Sequence, residues 1–217
     1  MTKLTTTTRA TRTFAAGAAV TAIAVMAATV APGAQLDFVA EAAGNERGIA
    51  SGTTLTIDGL DVTFTANLGY SPYFDDLSGG RPGGLGVCKV LTGSAQCNPS
   101  SDDNITSGEE VTLDFAAPVT FFDLVFFDAD HYSLAGSSKT LQIGTNGGSL
   151  AEFTFGGASA SVFDNVNSIT FAYGGTDPAQ FYVSGATATP VPVPAAGLLL
   201  AGGLGLLGAR RAMNKRI

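Results

Sequence analysis

Along most of this chain apolar residues alternate with polar ones far more often than they recur at helical spacing. Thr54-Leu55-Thr56-Ile57, then Asp58-Gly59, then Leu60-Asp61-Val62-Thr63-Phe64-Thr65 is a strong hairpin signal. Asp-Gly suits a type I′ turn, which places Leu55, Ile57, Val62 and Phe64 on one core face. Val111-Thr112-Leu113-Asp114-Phe115 alternates in the same way. After Ala117-Pro118 a long apolar strand covers 119–127 and ends in Asp128-Ala129-Asp130-His131. Further strands are predicted at 141–143, 151–155, 168–173 and 181–184. Gly147-Gly148, Gly156-Gly157 and Gly174-Gly175 stand between them as turn punctuation. Roughly eight or nine short strands with little helical pattern predict an all-β fold, an antiparallel β-sandwich of jelly-roll-like kind. Residues 70–107 show little periodicity and read as one long irregular segment.

The two ends differ in character from this body. Lys3, Arg9 and Arg12 precede an apolar, Ala-rich run over 14–30, and small residues follow at Ala31, Gly33 and Ala34. That order predicts a secretory signal helix, with the cut favoured after Ala34. At the other end stand Val191-Pro192-Val193-Pro194-Ala195, an uncharged Leu/Gly/Ala run over 195–209, and then Arg210, Arg211, Lys215 and Arg216. The prolines fix φ and bias the preceding valines to extended geometry, so this strip cannot continue a helix. Residues 195–209 can form a helix about 22 Å long, short of the ~20 residues a typical bilayer asks for. Basic residues beside such a segment hold it on the cytoplasmic side. The chain therefore divides into 1–34 (signal peptide), 35–189 (body) and 190–217 (tail).

The tail resembles the PEP-CTERM sorting signals of Gram-negative bacteria, in the variant whose motif is Val-Pro-Leu-Pro-Ala. Val193 stands where that variant usually has Leu. The resemblance implies recognition by an exosortase, an integral-membrane protease-transpeptidase, and export linked to exopolysaccharide or biofilm. It implies transient anchoring of the tail in the inner membrane, then a place at the cell surface, outer membrane or extracellular matrix. An ordinary C-terminal anchor helix, or a tail buried in a core, is the plainer alternative.

Charge changes the picture once the ends are set aside. The chain carries 11 basic and 18 acidic residues, for a net charge of −7. Within 35–189 the basic residues are Arg47, Arg81, Lys89 and Lys139, against all 18 acids, so the body carries about −14. That excludes nucleic acid as a partner, because its affinity rests on Lys and Arg neutralising phosphates. It suits solubility, cation binding or a hydrated matrix. Cys88 and Cys97, two cysteines in a chain with export signals, are expected to form one disulfide that braces the irregular segment.

Candidate chemistry clusters in two places. Asp75, Asp76, Asp102, Asp103 and Asn104 flank the disulfide loop, and Glu46 can join from upstream. Such a set can hold calcium, which takes six to eight oxygens from carboxylates, carbonyls and waters. Solvated carboxylates with local Asx turns are the alternative, and no EF-hand pattern is present. Asp128, Asp130, His131 and Tyr132 form the second candidate. On a strand Asp128 and Asp130 would share a face, ready to chelate a cation or bind sugar hydroxyls, with Tyr70, Tyr73 and Tyr132 as stacking surfaces. A polar strand-to-loop transition is the alternative there. No nucleophile elbow, zinc-protease helix or phosphate loop occurs. Gly203-Leu204-Gly205-Leu206-Leu207-Gly208 lies in the tail with no βαβ unit around it. The expected function is a non-catalytic, exported surface or matrix protein with a glycan as candidate ligand. The alternatives are a purely structural matrix filler, or a secreted glycoside hydrolase using a carboxylate pair such as Asp128/Asp130 or Glu109/Glu110.

Overall fold

Eleven antiparallel strands, two single-turn α-helices and a 3-10 turn at Asn67–Gly69 lie within residues 32–42 and 44–192, the part of the chain that the computed structural model describes. In chain order these are β1 (Ala34–Asp37), α1 (Phe38–Ala42), β2 (Arg47–Gly48), β3 (Thr53–Ile57), β4 (Leu60–Ala66), β5 (Ser71–Ser78), β6 (Arg81–Cys88), β7 (Glu110–Asp128), β8 (Thr140–Thr145), β9 (Ala151–Thr154), α2 (Phe155–Ser159), β10 (Phe163–Ala172) and β11 (Phe181–Pro190). The expected signal helix and sorting helix, with Val193, Pro194, Ala195, Arg210 and Arg211, lie outside the described residues. No helix among the described residues is long and apolar enough to cross a membrane.

The β3–β4 hairpin forms as its sequence predicts. Asp58 and Gly59 both take positive φ, 47° and 80°, as a type I′ turn requires. Leu55 then faces Val62 and Thr53 faces Phe64. Val62 and Phe64 are fully buried, and Leu55 packs against the core.

β7 organises the rest. The alternation predicts two strands parted by Ala117-Pro118, but the structure runs one strand of 19 residues. Its first half lies between β4 and β10, and its second half pairs with β11. The proline is accommodated by an irregularity in the ladder: Val166 faces Val119 while Ser168 faces Asp114, so residues 115–118 of β7 stand opposite Asn167 alone. An interruption of this kind releases the ladder bond that proline cannot donate and bends the strand. β3-β4 and β10-β8-β9 flank the first half of β7, while β11-β6-β5-β2 extends from the second. The inner faces of these two arms share one core. Phe64 of β4 meets Phe74 of β5 at 5.3 Å between ring centroids, and Phe126 of β7 meets Phe171 of β10 at 6.1 Å. Edge-to-face aromatic pairs such as these add about 0.5–1.5 kcal/mol each beyond their burial. The result is an all-antiparallel, sandwich-like β fold.

Two departures from the sequence reading matter for function. The segment 70–107 is not one irregular loop, because β5 and β6 form a hairpin within it over Gly79-Gly80, both at positive φ. Only the stretch after Cys88 is irregular, and the Cys88–Cys97 disulfide braces it as expected, with Cα atoms 5.7 Å apart. The second departure is the length of β11, which runs on to Pro190 and pairs with β1, Ala188 opposite Ala34. Gly156-Gly157, read as a turn, lies inside α2, where Thr154 caps the helix by accepting from Gly157 N at 3.0 Å.

Candidate functional site

Side chains alternate across a strand, so β5 sends Phe74 into the core and turns Tyr73 and Asp75 to the outer face. Leu85 of β6 pairs with both Phe74 and Val183, so Gly84, Gly86, Tyr182 and Ser184 share that outer face. Glycines on β6 leave a trough between Asp75 on one side and Tyr182 on the other. The chain after the disulfide lies down in this trough. A Cβ on Gly86 would collide with the Asp103 carbonyl oxygen and stand 2.8 Å from Asn104 Cα. A Cβ on Gly83 would likewise stand 2.8 Å from Asp75 Cγ. Gly86 permits the close approach of backbone, and Gly83 that of the Asp75 side chain.

Three carboxylates converge there. Glu46, Asp75 and Asp103 each offer an oxygen such that all three atoms lie within 4.8 Å of one another. Asp75 is 2% exposed and Asp103 9%, while Glu46 is half-buried and forms the outer lip. Tyr182 donates its hydroxyl to Asp103 Oδ1 at 2.6 Å, and Tyr73 donates to Glu46 Oε2 at 3.2 Å. Gln96 Nε2, from the disulfide loop, donates to the Glu46 carbonyl. Gly48 N donates to the Ala95 carbonyl at 2.8 Å, so the braced loop is tied to the strand beside Glu46.

Burial pushes the Asp75 carboxyl up to about 8, reinforced by the charges of Asp103 and Glu46. Asp103 is also raised, chiefly by burial, with the Tyr182 hydroxyl pulling the other way. The hydroxyls of Tyr73 and Tyr182 are raised by burial first and by the neighbouring carboxylates after it. They stay neutral donors.

His131 completes the wall. Its Nδ1 lies 3.2 Å from the Arg81 carbonyl and its Nε2 3.1 Å from Asp75 Oδ2. The second distance is that of an ion pair, yet Asp75 Oδ2 accepts no hydrogen bond. The His131 ring therefore lies between the Arg81 carbonyl and the Asp75 carboxyl. Among the described residues no Lys or Arg pairs with Glu46, Asp75 or Asp103.

No family model, curated protein or solved structure matches this chain. The chemistry of the site therefore rests on its own geometry.

Of the residues predicted to hold calcium, the structure brings together Asp75 and Asp103, with Glu46. Asp102 is drawn elsewhere: Lys89 Nζ sits 2.6 Å from Asp102 Oδ1 and 2.8 Å from the buried Glu109 Oε1. Burial raises Glu109, and Lys89 opposes that rise. Asp76 follows Asp75 on β5 and so points to the opposite side of the strand. Asn104 is buried beside Gly86.

The second predicted cluster does not assemble as a strand face. β7 ends at Asp128 and the chain turns, because Asp128 Oδ1 accepts from Asp130 N at 3.0 Å and from Tyr132 N at 2.8 Å. This Asx-type turn leaves His131 at φ 63° and swings it inward to Asp75. Tyr132 is 53% exposed, with the Arg81 guanidinium 4.0 Å from its ring centroid. Tyr73 is fully buried and Tyr70 half-buried, so Tyr73 has no face for sugar stacking. Tyr182 and the Lys89/Glu109 pair were not signalled by sequence; only the register of β6 with β11 identifies Tyr182. Two surface hollows, one beside Glu41, Asn45 and Arg47 and one beside Asp123, Val125 and Ser184, include none of the three carboxylates.

Proposed function

We propose that this chain is an exported, exosortase-processed protein of the cell surface or extracellular matrix of a Gram-negative bacterium, with a non-catalytic body of jelly-roll-like kind. The observation that carries the reading is where the body receives and releases the chain. β1 enters beside the exit of β11, Gln35 opposite Thr187, and Val191 N donates to the Pro118 carbonyl at 2.9 Å. The Val191-Pro192 start of the sorting motif thus follows the last strand residue directly, and both ends leave from one pole. The carboxylate cluster lies towards Phe181 at the other end of β11, roughly 25 Å away at ~3.3 Å per residue. A tail held in a membrane would leave that acidic pole facing outward, where exposed Tyr132 is a candidate for a glycan contact.

Deleting 195–217, or removing the host's exosortase, is expected to change both the size and the location of the protein. Identical processing and location in both strains would end the proposal. A glycan array with the full chain tests the ligand: saturable binding lost on Tyr132→Ala supports recognition, and blank spots favour a matrix filler.

A further inference from the structure

We propose that Glu46, Asp75 and Asp103 form the site of one hard divalent cation, calcium by preference, seated under the disulfide-braced loop. The inference stands whether or not the chain is exported.

Size is the first argument. Calcium holds its oxygens at 2.3–2.6 Å, so ligands on opposite sides of the ion stand about 4.6–5.2 Å apart. Three carboxylate oxygens within 4.8 Å of one another are spaced as ligands of one such ion are. The unmet demand of the cluster is the second. Asp75 Oδ2 is buried and accepts no hydrogen bond, on a carboxyl that faces Glu46 and Asp103, although His131 Nε2 stands 3.1 Å away. Buried carboxylates are ordinarily paired, hydrogen-bonded or metal-bound. No Lys or Arg among the described residues serves this one, although Lys89 serves Asp102 and Glu109 a few residues away.

The donor set decides the class of ion. Three carboxylates, with two tyrosine hydroxyls fixing Asp103 and Glu46, are hard oxygen ligands of the kind that suit calcium, magnesium or manganese. Irregular placement on a strand, a loop and the segment before β2 favours calcium, which tolerates uneven geometry, over magnesium, which demands a near-ideal octahedron. Glu46 at the solvent lip provides the way in, and water completes the shell.

The test uses the full chain, purified in detergent with its disulfide intact and stripped with a chelator. Calcium chloride at a hundredfold excess over Kd is expected to raise the melting temperature by roughly 5–10 °C. Calorimetric titration should show one site per chain. Asp75→Asn, and Glu46→Gln as the variant least able to disturb folding, should each weaken calcium binding tenfold or more. A wild-type melt unmoved by calcium overturns the proposal, as does an equal calcium shift in both variants. A zinc response larger than that to calcium and lost in His131→Ala would overturn the hard-cation assignment.

Discussion

Gly86→Ala is the sharpest perturbation of the trough on which the site is built. The added methyl would collide with the Asp103 carbonyl oxygen and stand 2.8 Å from both Asp103 C and Asn104 Cα. All three atoms are backbone, so no side-chain rotation relieves the overlap and the 103–105 segment must lift. Lifting it strains or breaks three hydrogen bonds: Tyr182 to Asp103 at 2.6 Å, Ile105 N to the Phe181 carbonyl at 2.8 Å, and Phe181 N to the Ile105 carbonyl at 3.2 Å. It also loosens Ile105, which is fully buried. At about 1 kcal/mol net per hydrogen bond and ~1–3 kcal/mol for overpacking, the expected destabilisation is about 4–6 kcal/mol. The lower unfolded-chain entropy of Ala opposes this by only ~0.4–1 kcal/mol.

Urea unfolding followed by far-UV circular dichroism measures the effect, with Gly93→Ala as control. Gly93 is exposed on the same braced loop and its Cβ would meet nothing within 4 Å, so that variant should stay within ~0.5 kcal/mol of wild type. Calcium binding should weaken in Gly86→Ala, because Asp103 moves with the segment. A Gly86→Ala protein within about 1 kcal/mol of wild type would show that the loop does not rest in the trough, and the reasoning on the site would fail with it.

Two further outcomes follow from the same geometry. Asp75 has a folded pKa of about 8 against an ordinary 3.8, so the cation-free native state binds more protons than the unfolded chain between those values. Its stability relative to Asp75→Asn should therefore fall as pH rises from about 4 to about 8, by up to ~1.4 kcal/mol per pH unit. Calcium should flatten that slope, and parallel chemical-denaturation profiles for the two proteins would refute the burial argument. Replacing both Cys88 and Cys97 with Ala should cost about 2–3 kcal/mol by the chain-entropy account, read as a lower urea midpoint. A midpoint unchanged by the replacement would show that the loop is held by Gly48–Ala95 and its neighbours rather than by the bridge.

What the sequence made legible is what short-range chemistry decides. The Asp58-Gly59 turn, the alternation of β3 and β4, and the pairing of the two cysteines each depend on residues close together in the chain. β6 was hidden for the opposite reason. In Arg-Pro-Gly-Gly-Leu-Gly-Val-Cys the glycines and proline read as punctuation, whereas Gly86 is there because Asp103, far along the chain, must pass over it. The same loss of register blurred the site. Without knowing that 71–78 is a strand, Asp75 cannot be told from Asp76; with it, Phe74 must face the core and Asp75 must join Tyr73 outside. Asp102 and Asp103 are separated by partners that sequence does not pair, Lys89 for one and Tyr182 for the other. Alternation puts His131 at the end of a strand face, but the turn held by Asp128 leaves it at positive φ and carries it to Asp75. The two candidate clusters, kept apart by the sequence, meet at this one histidine. A local code places the strands and the bridge. The trough between β5 and β11, where the acids gather, exists only once the strands are in register.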